Sequence, residues 1–152
     1  KKTSKENVLV VYTDGACRDN PGIGGWGVLI IDNENKRTLK GSQLDTTNNR
    51  MELTAAIKAL EFIDFEHSIV LYTDSEYVMK GITEWISGWK SRSWRTASKK
   101  PVKNVDLWKK LDVLVQARSI SWNWVRGHSG DEGNEQADGL ANAAIDELIR
   151  QT

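Results

Sequence analysis

The chain has 152 residues, the length of one ordinary domain that can bury a core without disulfide or metal staples. Its single cysteine, Cys17, excludes a disulfide framework and a thiolate metal site and suits a reducing compartment. Net charge is zero, 21 Lys and Arg against 21 Asp and Glu, no apolar run is long enough to cross a membrane, and no signal-peptide pattern is present.

In chain order, Val8–Thr13 is β-branched and apolar and reads as a buried strand. Trp26–Ile31 reads as a second strand, closed by the polar turn Asp32-Asn33-Glu34-Asn35, and Arg37–Leu44 as a third. Short connections make these three an antiparallel meander. Over Asn48–Phe65 the period changes: Met51, Ala55, Ala56, Ala59, Leu60, Phe62 and Ile63 form a helical stripe. Ser68–Thr73 is a further strand, followed by helices over Ser75–Ile86 and Asp106–Ala117. Ile120–Val125 alternates as a strand does. A last helix carries Ala137, Leu140, Ala141, Ala144, Ile145 and Leu148 on one face. No internal repeat interrupts this order, so a single domain with a mixed sheet flanked by helices is expected.

Gly22-Ile23-Gly24-Gly25-Trp26-Gly27 matches the G-x-G-x-x-G of dinucleotide-binding folds, with Asp45 downstream as a ribose ligand. That fingerprint must open a helix whose N-terminus receives pyrophosphate. Here Val28–Ile31, a strand, follows instead. The glycines read as a hairpin corner where backbone can approach closely.

Four acids fall at suggestive points: Asp14 and Asp74 at strand ends, Glu52 in the first turn of the first helix, and Asp138 early in the last. Ligand sites of α/β sheets lie at strand carboxyl ends, and hard divalent cations take carboxylate oxygens. Each acid also has a purely structural explanation. Asp14-Gly15 could form a turn, Asp74 could cap the helix beside it, Asn49-x-x-Glu52 fits a capping box, and Asp138 could be a first-turn acid. His128, in the loop VRGHSGDEGN, has the intrinsic pKa of a proton carrier. Charge is segregated despite its zero sum. Trp85 to Asn104 holds Lys90, Arg92, Arg95, Lys99, Lys100 and Lys103 and no acid, interleaved with Trp85, Trp89 and Trp94. Cations neutralise phosphates and flat aromatics pack on sugars and bases, so this stretch reads as a nucleic-acid contact. Asp131 to Arg150 holds six acids, Asp131, Glu132, Glu135, Asp138, Asp146 and Glu147, with only Arg150 to oppose them.

The blocks YTDGACRDNPGIGGWG, TTNNRMELTAAIKAL, YTDSEYV, GITEWISGWKSRSWRTASKKPVKNVDLW and WVRGHSGDEGNEQADGLA resemble, in order and spacing, the bacterial type 1 ribonucleases H. The likeness runs from about Val8 to Ile149. It implies an RNase H-like α/β fold, a five-stranded mixed sheet of three antiparallel and two crossover-connected strands flanked by helices, with a basic Trp-rich handle. It also implies an endoribonuclease that hydrolyses the RNA strand of RNA–DNA hybrids by two-metal-ion catalysis. Such an enzyme uses two Mg²⁺ or Mn²⁺ ions and leaves 3′-hydroxyl and 5′-phosphate ends. The family's catalytic, metal-holding carboxylates fall on Asp14, Glu52, Asp74 and Asp138, and its mobile-loop histidine on His128. Trp85 and Trp89 match the handle that contacts the DNA strand, and Thr47 and Asn104 its DNA-phosphate pocket. Asn20, Asn48 and Asn49, with Cys17, match its minor-groove contacts. A cytoplasmic, monomeric enzyme is expected.

Three positions depart from the family pattern. Glu76 stands where many bacterial members carry glutamine, and an extra acid there is expected to weaken substrate contact or perturb metal affinity. Asp19 and Ile23 stand where glycine and proline are common. Two rivals remain: a domain that holds hybrid without cutting, which loss of a catalytic carboxylate would signal, and another nuclease or transposase of the superfamily, which would lack the handle.

Overall fold

A computed structural model describes residues 8–116, 118–127 and 129–152. Strands β1 (Val8–Cys17), β2 (Gly22–Asp32) and β3 (Asn35–Thr46) form the expected antiparallel meander. Helix α1 (Asn48–Phe62) returns the chain to β4 (Ser68–Thr73), which lies parallel to β1, and β5 (Ile120–Trp124) lies parallel to β4. The strand order is β3-β2-β1-β4-β5. Between β4 and β5 the chain makes α2 (Glu76–Lys80), one π turn (Gly81–Trp85), α3 (Ile86–Ser91) and α4 (Val105–Val115). It closes with α5 (Glu132–Gln151).

The two faces follow from strand alternation. Leu9, Val11, Val28, Ile30, Ile69 and Leu71 point to one face and form a buried cluster with Leu53, Ile57 and Leu60 of α1 and Trp108 and Leu111 of α4. Leu29, of opposite parity, is buried on the other face, which α5 covers with Ala137, Ala141 and Ile145. Each fully buried Leu or Ile contributes about 1.5–3 kcal/mol.

Several boundaries differ from expectation, each with a local reason. Strand β1 continues past Thr13 to Cys17 because β2 keeps pairing with it, through Asp14↔Gly27 to Cys17↔Gly24, after β4 has stopped at Thr13↔Thr73. The glycines of the G-x-G-x-x-G therefore lie inside β2, not at a hairpin corner. Helix α1 ends at Phe62, with Ile63 extended, because Arg118 donates to the carbonyls of Leu60, Ile63 and Asp64 and satisfies the helix end. The handle helix does not stop at Ile86 but runs to Ser91 through the π turn, where Gly81 lies against the Trp108 indole. Helix α4 starts one residue before Asp106 and ends at Val115; Ala117 lies outside the described residues.

Close approach does explain Gly25 and Gly27 of β2, but what approaches is the protein's own helix α5. A Cβ at Gly27 would stand 2.3 Å from the carbonyl oxygen of Ala137, and one at Gly25 would stand 2.4 Å from that of Ala141. Helix α5 thus rests its backbone on bare strand. Gly27→Ala should lower stability by about 1–3 kcal/mol or more, seen as a lower urea midpoint at unchanged m-value. An unshifted midpoint would mean that α5 is not seated on Gly27.

Candidate active site

Parallel pairing of β1 with β4 puts Thr13 beside Thr73, so Asp14 and Asp74, one residue on in each strand, emerge together where the two strands part. Glu52 projects from α1 toward the same notch and accepts a hydrogen bond from the backbone N–H of Gly15 at 3.1 Å. A Cβ at Gly15 would lie 2.4 Å from the backbone nitrogen of Glu52, so only glycine lets the helix come this close. One carboxylate oxygen from each of Asp14, Glu52 and Asp74 lies within 4.8 Å of the others. Asp138 lines the same hollow, of about 330 Å³, with Gly15, Ala16, Cys17 and Asn48.

None of the structural explanations for these acids holds. Asp14 sits within a strand rather than in a turn, although the N–H of Gly15 also donates to its Oδ1 at 2.9 Å. The cap of α2 is Ser75, whose Oγ accepts from the N–H of Val78 at 3.0 Å, which leaves Asp74 free. The cap of α1 is Thr47, whose Oγ1 accepts from the N–H of Arg50 at 3.2 Å, so no Asn49–Glu52 box forms and Glu52 falls in the second turn. Asp131 caps α5 by accepting from the N–H of Asn134 at 3.0 Å, which places Asp138 in the second turn, not the first.

Burial and mutual repulsion dominate the electrostatics. Burial, and then Asp74 and Asp138, push the Asp14 carboxyl up to about 9. Burial, and then Asp14 and Asp74, hold that of Glu52 well above the ordinary carboxylate range. Among the described residues none of the four carboxylates joins an ion pair with Lys, Arg or His. An oxygen-only donor set, close-spaced and short of positive charge, fits Mg²⁺ or Mn²⁺. Zinc, which prefers nitrogen and sulfur, fits it poorly.

The other candidate residues divide around this hollow. Cys17 and Asn48 line it, and Asn20 joins them by accepting from the Asn48 N–H through Oδ1 at 3.0 Å. Asn49 is exposed in the first turn of α1. Thr47 and Asn104 are the caps of α1 and α4, linked through Arg50, which donates to Asn104 Oδ1 at 3.2 Å and to both oxygens of Asp106. Glu76 opens α2, exposed and 3.6 Å from Lys80. It lines a second hollow with Trp124, whose indole N–H donates to the Asp74 carbonyl at 3.1 Å. Trp85 is exposed; Trp89 is half-buried between Trp85, at 5.9 Å between centroids, and Trp108, at 5.2 Å. His128 lies outside the described residues.

Sequence reasoning missed three residues. Asn142 donates to the carbonyl of Asp138 at 3.0 Å and to its Oδ1 at 3.3 Å, and in turn accepts from Arg18 at 3.2 Å. Its i+4 spacing from Asp138 was a usable signal. Arg50 and Tyr77 meet Asn104 across 54 and 27 residues of chain, and no local pattern announces that.

This arrangement is a carboxylate-walled hollow on a mixed sheet, with three oxygen donors placed to hold a divalent cation. Comparison with known proteins agrees: the RNase H family model matches residues 6–146, and the chain belongs to the RNase H family. The ribonuclease H of Halorhodospira halophila is 58% identical over 147 residues, covering 97% of this chain and 99% of that one. That of Pseudomonas paraeruginosa is 59% identical over 148 residues, covering 97% and 99%. Among solved structures, LC9-RNase H1, described as a type 1 RNase H with the type 2 active-site motif, superposes with a TM-score of 0.84 at 32% identity, covering 93% of this chain and 73% of that one. LC11-RNase H1 in complex with RNA/DNA hybrid gives 0.72 at 26% identity, covering 93% and 99%.

A raised carboxyl pKa means that the folded chain holds its proton more tightly than the unfolded one. The stability this contributes is complete below the ordinary range near pH 4 and is lost as pH rises toward about 9. In chelator, the melting temperature should therefore fall across that window. Asp14→Asn should remove much of the fall and melt several degrees above the parent at pH 8, at about 2–4 °C per kcal/mol. A variant that melts below the parent there would show that the Asp14 charge is not a burden on the fold.

Proposed function

We propose that the chain is an endoribonuclease that cuts the RNA strand of RNA–DNA hybrids, leaving 3′-hydroxyl and 5′-phosphate ends, with two Mg²⁺ or Mn²⁺ ions held by Asp14, Glu52, Asp74 and Asp138. The observation that carries this reading is the group of three carboxylates within 4.8 Å, unmatched by any cation among the described residues, in a chain of the RNase H family. When bound, such ions would supply an activated water and neutralise charge on the leaving 3′ oxygen.

The chain's own residues provide position and binding. The Gly15 N–H fixes Glu52 against Asp14, and Asn142 orients Asp138, so the carboxylates are arranged before substrate arrives. Thr47 and Asn104 bind a phosphate of the DNA strand, while Trp85 and Trp89 face its sugars. Cys17, Asn20, Asn48, Asn49 and Glu76 lie along the minor groove, where 2′-hydroxyls tell RNA from DNA. His128 moves a proton in the loop between β5 and α5. No helix among the described residues is long and apolar enough to cross a membrane. The enzyme acts as a monomer in the cytoplasm.

Cleavage of a labelled hybrid in Mg²⁺, beside single-stranded RNA and an RNA duplex, tests this directly. The parent should cut only the hybrid. Asp14→Asn should lose about 10⁴-fold in turnover while still binding hybrid. Equal degradation of all three substrates would end the hybrid reading, and an active Asp14→Asn would remove Asp14 from the metal site. Trp85→Ala should weaken hybrid binding by about 1–3 kcal/mol at unchanged melting temperature, whereas Trp89→Ala should lower both affinity and melting temperature. If Trp85→Ala binds hybrid as the parent does, the exposed indole is not a contact.

A further inference from the structure

Thr47 and Asn104 stand at the ends of two helices that pack together, α1 and α4, and a single arginine joins them. The backbone N–H of Arg50 donates to Thr47 Oγ1 at 3.2 Å, and its guanidinium donates to Asn104 Oδ1 at 3.2 Å. Arginine carries donors only, so the amide of Asn104 must turn its oxygen to Arg50 and its nitrogen away. That nitrogen donates to the hydroxyl oxygen of Tyr77 at 3.1 Å. The same oxygen accepts from the indole N–H of Trp108 at 3.0 Å. Both lone pairs of the phenol are then filled, and among the described residues nothing accepts its proton.

The inventory is one-sided. Thr47 has one lone pair engaged and its O–H uncommitted. Asn104 has its oxygen engaged and one N–H uncommitted, and Tyr77 has both lone pairs engaged and its O–H uncommitted. Three polar side chains are left with donors to offer. Water could use them equally, but an acceptor-only anion is the ligand this polarity selects, because no oxygen turned toward it repels it.

We propose that Tyr77 is a third phosphate-binding residue of the DNA-strand pocket and that Arg50 is its positioning residue, drawing the acceptor oxygens of Thr47 and Asn104 to itself so that the pocket offers its donors to the ligand. The proposal rests on the reading that Thr47 and Asn104 bind a phosphate of the DNA strand. Arg50 is itself held by Asp106, through bonds of 2.7 and 3.1 Å to its two carboxylate oxygens. That neutralises its charge and leaves geometry, not net charge, as its contribution. Trp108, wholly buried under Gly81, fixes Tyr77 to the base of the handle, so the handle's position and the pocket's polarity are set together.

The probe is a set of hybrids carrying one uncharged methylphosphonate, moved step by step along the DNA strand. The parent should lose affinity sharply at one position, and Asn104→Ala should be insensitive there. Tyr77→Phe should raise KM for hybrid about 3- to 10-fold, the scale of one neutral hydrogen bond. Turnover number should move less than about twofold, and the penalty at that one position should shrink. Asn104→Asp, which keeps an oxygen against Arg50 but replaces the donor with an acceptor, should bind hybrid more weakly than Asn104→Ala. Melting temperatures separate these effects from loss of fold. If no single position is sensitive, or Asn104→Ala keeps the sensitivity, the phosphate reading of Asn104 fails and this proposal with it. If the position exists but Tyr77→Phe leaves KM and penalty as in the parent, the pocket stands and Tyr77 is only a brace. Asn104→Asp binding as well as Asn104→Ala would overturn the donor character of the pocket.

Discussion

Three carboxylates that would repel one another in solution are held within 4.8 Å, and the surrounding architecture is what keeps them there. At an effective dielectric of 20, two ionised groups at that separation repel by about 3 kcal/mol. Burial first, and then this repulsion, raise the pKa values of Asp14 and Glu52: without a cation, protons relieve the strain. A flexible frame would relieve it instead by moving apart. This one resists because Asp14 and Asp74 emerge side by side from parallel, register-locked strands whose pairing ends one residue earlier, and because Glu52 is tied to the Gly15 N–H rather than to solvent. The stability of the buried cluster of Val11, Leu53, Leu71 and Trp108 offsets a local burden that protons or a divalent ion relieve.

Much of the frame is built from missing side chains. Gly15 lets α1 bring Glu52 against β1, Gly25 and Gly27 let α5 lay its backbone on β2 and carry Asp138 in, and a Cβ at Gly127 would meet Asp74 Oδ2 at 2.8 Å. Both helices that supply a carboxylate to the hollow, α1 and α5, approach over glycines. The motif that imitates a dinucleotide fingerprint is therefore a packing device. Its glycines meet the cleft through the helix they admit rather than through a ligand's phosphate.

This explains what could be read from the sequence and what could not. Strand β4 and the start of α1 follow from periodicity and fall where expected. The glycine-rich opening of β2 does not, because glycines break the apolar alternation on which a strand is recognised. The helix caps turn on neighbours equally able to cap: Thr47 rather than Asn49, Ser75 rather than Asp74. An offset of one or two residues decides whether a carboxylate is committed to a helix end or left for chemistry, and local sequence does not resolve such an offset. The four acids were legible as a set, from strand ends and helix starts. Arg50 and Tyr77, which hold Asn104, and Arg18, which holds the Asn142 beside Asp138, were not, since each reaches its partner across the fold rather than along the chain.

Charge segregation along the chain also changes meaning once folded. Of the six handle cations, Lys90 is paired with Asp112, while Arg92 and Arg95 donate to carbonyls within the handle loop. Lys99, Lys100 and Lys103 remain exposed and, among the described residues, outside any ion pair. On α5, Asp146 pairs with Arg18 and Glu147 with Lys40, so part of the acidic run is cancelled across the sheet. What survives is a short cationic rim on one side and a buried anionic cluster at the centre. A polyanion approaching this surface is attracted by the exposed cations, and divalent ions that replace the protons of the hollow cancel the carboxylate charge there that would repel it. Substrate engagement and metal loading are then coupled through charge: each favours the other, and neither the handle nor the carboxylates need move for that coupling to operate.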